Sequence, residues 1–191
     1  WAKLGVDIVL ECTGAFNSKE AASVHLASGA KKVLISAPAG DDCPTFVRGV
    51  NCKKLQATDT VFSVGSCTTN GLAPVAKVLN DLFGIVSGHM TTIHAYTGSQ
   101  NLVDGSSKDM RSARAATMSI VPNKTGAAKA IGLVLPELAG KLNGTALRVP
   151  VPNVSLVDLS FTTNKAASKE AINDALNKAA ETELLKDVLH I

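Results

Sequence analysis

Cys67 follows a β-rich apolar run, Val61 to Val64, and a break at Gly65-Ser66, and with Thr68, Thr69 and Asn70 it opens an amphipathic stretch of helical period. A helix start presents unpaired backbone N–H groups and the positive end of the peptide dipoles, which favour an anion at that spot. A thiol held there is a candidate thiolate nucleophile. A lone cysteine is more often a small buried hydrophobe, so Cys67 by itself does not decide the chemistry. The next strand-like segment, Met90 to Tyr96, carries His94 near its far end. A strand–helix–strand crossover within one parallel sheet brings the ends of both strands to the same side, so His94 is expected to meet Cys67. An imidazole in hydrogen-bond reach of a thiol is the general arrangement for an activated cysteine.

Around this pair stand residues suited to anions: Ser66, Thr68, Thr97, the Thr125-Gly126 pair opening another helical stretch, and Arg148. Hydroxyls and N–H groups at helix starts bind phosphates readily. Arg148 lies within the strand-like run 146–150, where a guanidinium needs a partner. With no acid nearby in that run, it is either an anion ligand or half of a structural ion pair.

The elements that must position these groups follow from the pattern. Val6 to Glu11 is expected to be a buried strand, Asn17 with Glu20 to open a helix ending near Gly29, and Lys31 to Ser36 to form a second strand. Together they make a β-α-β unit, the building block of a parallel sheet. Thr45 to Val50 and Val61 to Val64 are further expected strands, and Pro74 is expected to kink or disturb the helix after Cys67. Hydrophobic period fails from 98 to 122, a stretch long enough to suggest a functional loop. Residues 145–149 and 154–163 alternate as antiparallel strands do, and 169–182 is patterned as an amphipathic helix.

With 191 residues, 46% hydrophobic and 18% charged, the chain has ample material for a core. A net charge of +3, dispersed along the chain, argues against nucleic acid as a partner. Cys12, Cys43, Cys52 and Cys67 form no CxxC and no zinc-spaced cluster, so no metal is expected, and a reducing, cytoplasmic compartment fits best. No apolar run approaches the roughly 18 residues of a membrane span, and the first residues do not form a signal peptide. Sequons at Asn123-Lys124-Thr125, Asn143-Gly144-Thr145 and Asn153-Val154-Ser155 are therefore read as coincidental. Trp1 to Gly5 resembles the tail of a helix closed by glycine, with the expectation that the chain is an internal piece of a longer protein.

Ser-Cys-Thr-Thr-Asn at 66–70, His-Ala-Tyr-Thr at 94–97, Thr-Gly-Ala-Ala-Lys-Ala at 125–130 and Arg-Val-Pro-Val-Pro-Asn-Val-Ser at 148–155 together resemble the phosphorylating glyceraldehyde-3-phosphate dehydrogenases, as do Glu11 to Phe16 and Ile35 to Pro38. The resemblance implies an α/β and α+β architecture: a partial Rossmann parallel sheet over residues 1–66, lacking its N-terminal half, then a catalytic domain with a mixed, largely antiparallel sheet over 67–191, lacking its C-terminal part. It implies an enzyme of glycolysis that oxidises D-glyceraldehyde 3-phosphate with NAD and inorganic phosphate to 1,3-bisphosphoglycerate, as a cytoplasmic homotetramer. Cys67 would form the thiohemiacetal and thioester, and His94 would act as base. Thr97 and Arg148 would hold the substrate phosphate, and Ser66, Thr68, Thr125 and Gly126 the attacking one. Thr13, Gly14, Phe16 and Ser36 would line the cofactor, and the 98–122 loop would pack on a neighbouring subunit's cofactor.

Departures from the family pattern bear on these expectations. The glycine-rich phosphate loop and the asparagine that orients the nicotinamide have no counterpart in these 191 residues. Gly71 stands where a second cysteine is usual, Ser99 where Asp or Thr is frequent, and Ser106 where NAD-specific members carry proline, which leaves NADP open. Oxidation of erythrose 4-phosphate, or reduction of an acyl phosphate, on the same scaffold is the alternative. A non-catalytic binding module and a cofactor-free cysteine hydrolase are readings of other classes; the dispersed charge counts against nucleic-acid binding and the β-α-β unit against the hydrolase.

Overall fold

The computed structural model describes residues 1–191 and contains two sheets. The first holds β1 (Ile8–Glu11), β2 (Lys32–Ile35) and β3 (Val61–Ser63), all parallel in that order, with Val9 beside Val33 and Val33 beside Val61. Between β1 and β2 run two short helices, α1 (Lys19–Ala22) and α2 (Val24–Ala27). Ala22, Val33, Ile35, Ala39, Cys43 and Val61 form the core of this half, with Phe16 and Leu26 packed against it.

Three expectations for this half need correction. Ser18, not Asn17, caps α1, its Oγ accepting from the Ala21 N–H at 3.1 Å, while the Asn17 amide donates to the Gly14 carbonyl. β1 is buried on one face only: Val9 and Glu11 point inward, whereas Ile8 and Leu10 are 55% and 63% exposed. Thr45 to Val50 is not a strand. Thr45 forms a single parallel bridge to Ser63, and the chain then turns. Asn51 explains the turn, because its side chain accepts from the Val47 N–H and donates to the Thr45 carbonyl, competing with any sheet ladder.

The second sheet has the order β5-β6-β4-β7, with β4 (Ile85–Ala95) and β6 (Leu142–Val149) at its centre. β4 pairs in parallel with β6 and antiparallel with β7 (Ser155–Thr163), and β5 (Val121–Asn123) pairs antiparallel with β6. Residues 145–149 and 154–163 are thus strands, but β4 lies between them and they do not pair with each other. The sheet is mixed, with antiparallel pairing at both sides of one parallel pair.

α3 (Cys67–Phe83) links the sheets. The expectation that β3 and β4 belong to one parallel sheet fails: β3 ends the first sheet and β4 is central to the second. α3 also runs unbroken through Pro74. Pro74 leaves the Asn70 carbonyl without its intrahelical donor, yet the helix continues past it. The apolar face of α3 (Leu72, Ala73, Ala76, Leu79) packs with Ile85 and Met90 of β4 and with Ile131 and Val134 of α4 (Ala127–Val134) in the main core. Each fully buried aliphatic side chain there contributes about 1.5–3 kcal/mol. α5 (Lys169–Ala180), capped by Ser168, buries Ala175 against Val78 and Leu185.

Residues 98–120 form no regular element except a 3-10 turn at Met110–Ala113. The segment is pinned to itself, with the Gly105 N–H donating to the Ala113 carbonyl and the Ala116 N–H to the Asn101 carbonyl, each at 2.9 Å. It exposes Leu102, Val103, Met110 and Met118, the last two to 86% and 85%. No helix is long and apolar enough to cross a membrane.

Candidate active site

Gly65 starts the site. Its φ of +72° turns the chain out of β3, a conformation that costs glycine little, and Ser66 then caps α3. The Ser66 Oγ accepts from the Thr69 N–H at 3.0 Å and lies 2.7 Å from the Thr69 hydroxyl. Cys67 is consequently the first residue of a 17-residue helix, exposed at its positive end. Thr68 and Thr69 are buried, with the Thr68 hydroxyl 3.5 Å from that of Thr92 on β4.

His94 is the penultimate residue of β4, and its Nε2 lies 3.1 Å from the Cys67 Sγ. The two meet although their strands lie in different sheets, because α3 starts over the carboxyl end of β4. The other ring nitrogen, Nδ1, is 2.8 Å from the Ala95 carbonyl oxygen. Arg148 is the register partner of His94 on β6. Its Nη1 contacts His94 Nδ1 and donates to the Ala95 carbonyl at 2.9 Å, while its Nε is buried without a partner. Burial pushes the guanidinium below its ordinary range, and the nearby Cys67 sulfur opposes that effect. An anion in front of Arg148 would restore what burial costs it.

These groups wall a cavity of about 290 Å³. Thr92 and His94 of β4, with Ala146 and Arg148 of β6, share one sheet face and form its floor; Ser66, Cys67 and Thr68 come from α3, and Thr125, Gly126, Ala127 and Ala130 from α4 and the turn before it. Thr125 Oγ1 accepts from the Ala127 N–H at 3.1 Å and so holds the first turn of α4. Of the anion candidates, Ser66, Thr68, Thr125, Gly126 and Arg148 are together in the wall. Thr97 is not. Its hydroxyl is 3.0 Å from that of Ser99, and its N–H donates to the Gln100 side chain. Among the polar wall residues, the sequence reading did not include Thr92 and Lys124. The alternation of β4 could have given Thr92 from His94; Lys124 was visible only as the middle of a sequon.

Thr13 and Gly14 follow β1 and Ser36 follows β2, so the cofactor candidates sit at the carboxyl ends of adjacent parallel strands, where open α/β sheets bind ligands. Glu11, only 3% exposed, accepts from the Thr13 N–H at 2.7 Å, from the Thr13 hydroxyl, and from His25 Nε2 at 2.9 Å. The Thr13 hydroxyl's hydrogen bond leads those that hold the Glu11 carboxyl below its ordinary 4.5. Trp1 Nε1–H donates to His25 Nδ1, which leaves the His25 proton on Nε2, and Phe16 lies edge-on to the same ring at 5.3 Å. Thr13 and Ser36 are exposed, and the space beside Gly14 is open.

Comparison with known proteins gives the chain's family. Residues 66–191 match the family model described as glyceraldehyde 3-phosphate dehydrogenase, C-terminal domain. The chain is 61% identical over 182 residues to a glyceraldehyde-3-phosphate dehydrogenase of Xanthobacter flavus, covering 95% of this chain and 54% of that one. It is 60% identical over 184 residues to one from Mycolicibacterium smegmatis, with 96% and 54% covered. A chloroplastic form from Zea mays is 54% identical over 184 residues, with 96% and 46% covered. The chain therefore spans about half the length of these curated relatives, and it belongs to the glyceraldehyde-3-phosphate dehydrogenase family.

Proposed function

We propose that the protein containing this chain oxidises and phosphorylates D-glyceraldehyde 3-phosphate to 1,3-bisphosphoglycerate. The single observation that carries this reading is the 3.1 Å approach of Cys67 Sγ to His94 Nε2 at the wall of a cavity lined by Arg148 and helix-start hydroxyls. His94 takes the thiol proton, and the sulfur attacks the aldehyde carbon to form a C–S bond. The oxygen that becomes negative accepts from the Cys67 backbone N–H and from His94 Nε2–H, a preorganised stabilisation of the kind worth about 10²–10³ in rate. NAD, when bound, accepts the hydride. His94 passes the thiol proton to the negative oxygen, giving the thiohemiacetal hydroxyl, and then takes it back as hydride leaves the carbon and the thioester forms. A phosphate oxygen then attacks the thioester carbon, the C–S bond breaks, and sulfur leaves as thiolate. Holding base, nucleophile and anions in one cavity supplies the orientation on which such two-step transfers depend.

Residues 1–66 serve as the later half of the NAD-binding domain, with Thr13, Gly14, Phe16 and Ser36 toward the cofactor, and residues 67–191 as the catalytic domain. The exposed apolar 98–120 segment supports packing on a neighbouring subunit of a homotetramer. Four free cysteines support a reducing, cytoplasmic setting. NADP is left open by Ser106, whose carbonyl accepts from the Asn101 side chain. Rapid-quench detection of an acyl group on Cys67, with glyceraldehyde 3-phosphate and NAD but no phosphate, tests the proposal. Side-by-side turnover of erythrose 4-phosphate separates the sister activity.

A further inference from the structure

Lys124 lines the same cavity as Cys67 and Arg148, yet no role follows for it from the pairings within the chain. It stands between the last residue of β5 and Thr125, and its own N–H donates to the Asn123 side chain at 2.8 Å, which fixes the turn. Lys31, Lys77, Lys129 and Lys186 each hold a carboxylate at 2.7–2.8 Å, whereas Lys124 holds none. Asp109 feels its charge but is already forked by Arg111 through bonds of 3.1 and 3.0 Å. Lys124 is thus an exposed lysine in the cavity wall with no ion-pair partner, and Arg148, in the same wall, is half-buried.

The reaction proposed above, on which this inference rests, brings two phosphate groups of about −1.5 to −2 charge each into one small cavity. Arg148 is a single positive charge, already bonded to the Ala95 carbonyl. The second anion must arrive from solvent after the thioester has formed, and so meets the exposed residues of the wall. We infer that Lys124 is a binding residue for the attacking inorganic phosphate, drawing it toward Thr125 and Gly126 and offsetting its repulsion by the substrate's own phosphate.

Initial rates of the intact protein, varied over inorganic phosphate at several KCl concentrations, test this with Lys124→Gln and Lys124→Arg. Lys124→Gln is expected to raise the phosphate KM roughly 3- to 10-fold, with a smaller change in the aldehyde KM, and to flatten the dependence of the phosphate KM on salt. Lys124→Arg should restore most of both. A phosphate KM within experimental error of wild type, or an aldehyde KM that rises as much as the phosphate KM, overturns the inference. Acylation of wild-type Cys67 in phosphate-free buffer is the separate check: if it occurs and Lys124→Gln leaves the phosphate KM alone, only the role of Lys124 falls; if it does not occur, both readings fall.

Discussion

His94 and Arg148 face each other across the parallel β4–β6 pair, and both reach the Ala95 carbonyl oxygen, His94 Nδ1 at 2.8 Å and Arg148 Nη1 at 2.9 Å. One carbonyl thus fixes the ring that serves Cys67 and the cation that faces the cavity. Side chains at paired register positions share a sheet face, so the imidazole and the guanidinium are set by the same strand pairing. Moving either strand by one residue would send one of them to the opposite face.

Arg148→Lys keeps the charge but removes the planar fork and shortens the reach to the Ala95 carbonyl. In the intact protein it is expected to raise the KM for the phosphorylated aldehyde roughly 10- to 100-fold, since a hydrogen bond to a charged group contributes about 1.5–3 kcal/mol. Steady-state kinetics with glyceraldehyde 3-phosphate and with unphosphorylated glyceraldehyde check it. An equal loss for both aldehydes would show that Arg148 acts on the ring alone, not on the substrate phosphate.

Cys67→Ser replaces the attacking sulfur by a hydroxyl that one imidazole deprotonates poorly. Turnover should fall by roughly 10³-fold or more, and no acyl-enzyme should form. His94→Asn keeps the proposed nucleophile and removes the proposed base, so the expected loss in kcat is about 10²–10⁴-fold. Alkylation of Cys67 by iodoacetamide at neutral pH should slow in parallel. Unchanged alkylation in His94→Asn would contradict a role for the 3.1 Å contact in activating the thiol.

The local parts of this site were legible in the sequence, and the long-range parts less so. A helix opening at Cys67 follows from Gly65, the Ser66 cap and the apolar period after it, all within one segment. The meeting of Cys67 with His94 was anticipated through a single sheet, but it arises between two sheets. Periodicity tells a strand from a helix and is silent on which strand pairs with which. For the same reason β6 and β7 were legible as strands while the position of β4 between them was not. Thr45 to Val50 was misread because its apolar residues suit a strand, and the competing Asn51 side-chain bonds lie just beyond that window. Thr97, two residues past the end of β4, is outside the cavity wall, with its hydroxyl 3.0 Å from that of Ser99.

Glu11 gives a pH prediction. Its carboxylate accepts from Thr13 and His25, and its carboxyl is held below the ordinary 4.5 in the folded state. A depressed folded value means that the ionised group stabilises the fold above the unfolded pKa, and that this contribution is lost as pH falls through the folded one. Glu11→Gln should therefore lower the melting temperature at neutral pH and give a shallower decline below pH 4.5 than wild type. Thermal melts of the intact protein at a series of acidic pH values check it. Curves for the two proteins that run parallel through the acid range would rule out Glu11 as a source of that decline.

Gly49 tests how the turn after Thr45 is tied to the end of the chain. Its φ is +80°, and a Cβ there would lie 2.6 Å from Leu185 Cδ2 and 3.4 Å from the Leu184 carbonyl oxygen. Gly49→Ala thus meets two costs, a left-handed backbone worth about 1–2 kcal/mol for an L-residue and a clash with a side chain packed against Val78 and Ala175. The Leu185 tip can shift, which relieves part of the clash but opens space at that cluster. Leu185→Ala alone should cost about 2–5 kcal/mol as a buried truncation. In the double variant the clash is gone and only the backbone cost persists, so Gly49→Ala should destabilise less in the Leu185→Ala background than in wild type. Denaturant unfolding of the four proteins measures that coupling. Strict additivity would mean that the turn and the C-terminal segment are energetically independent, contrary to the 2.6 Å approach.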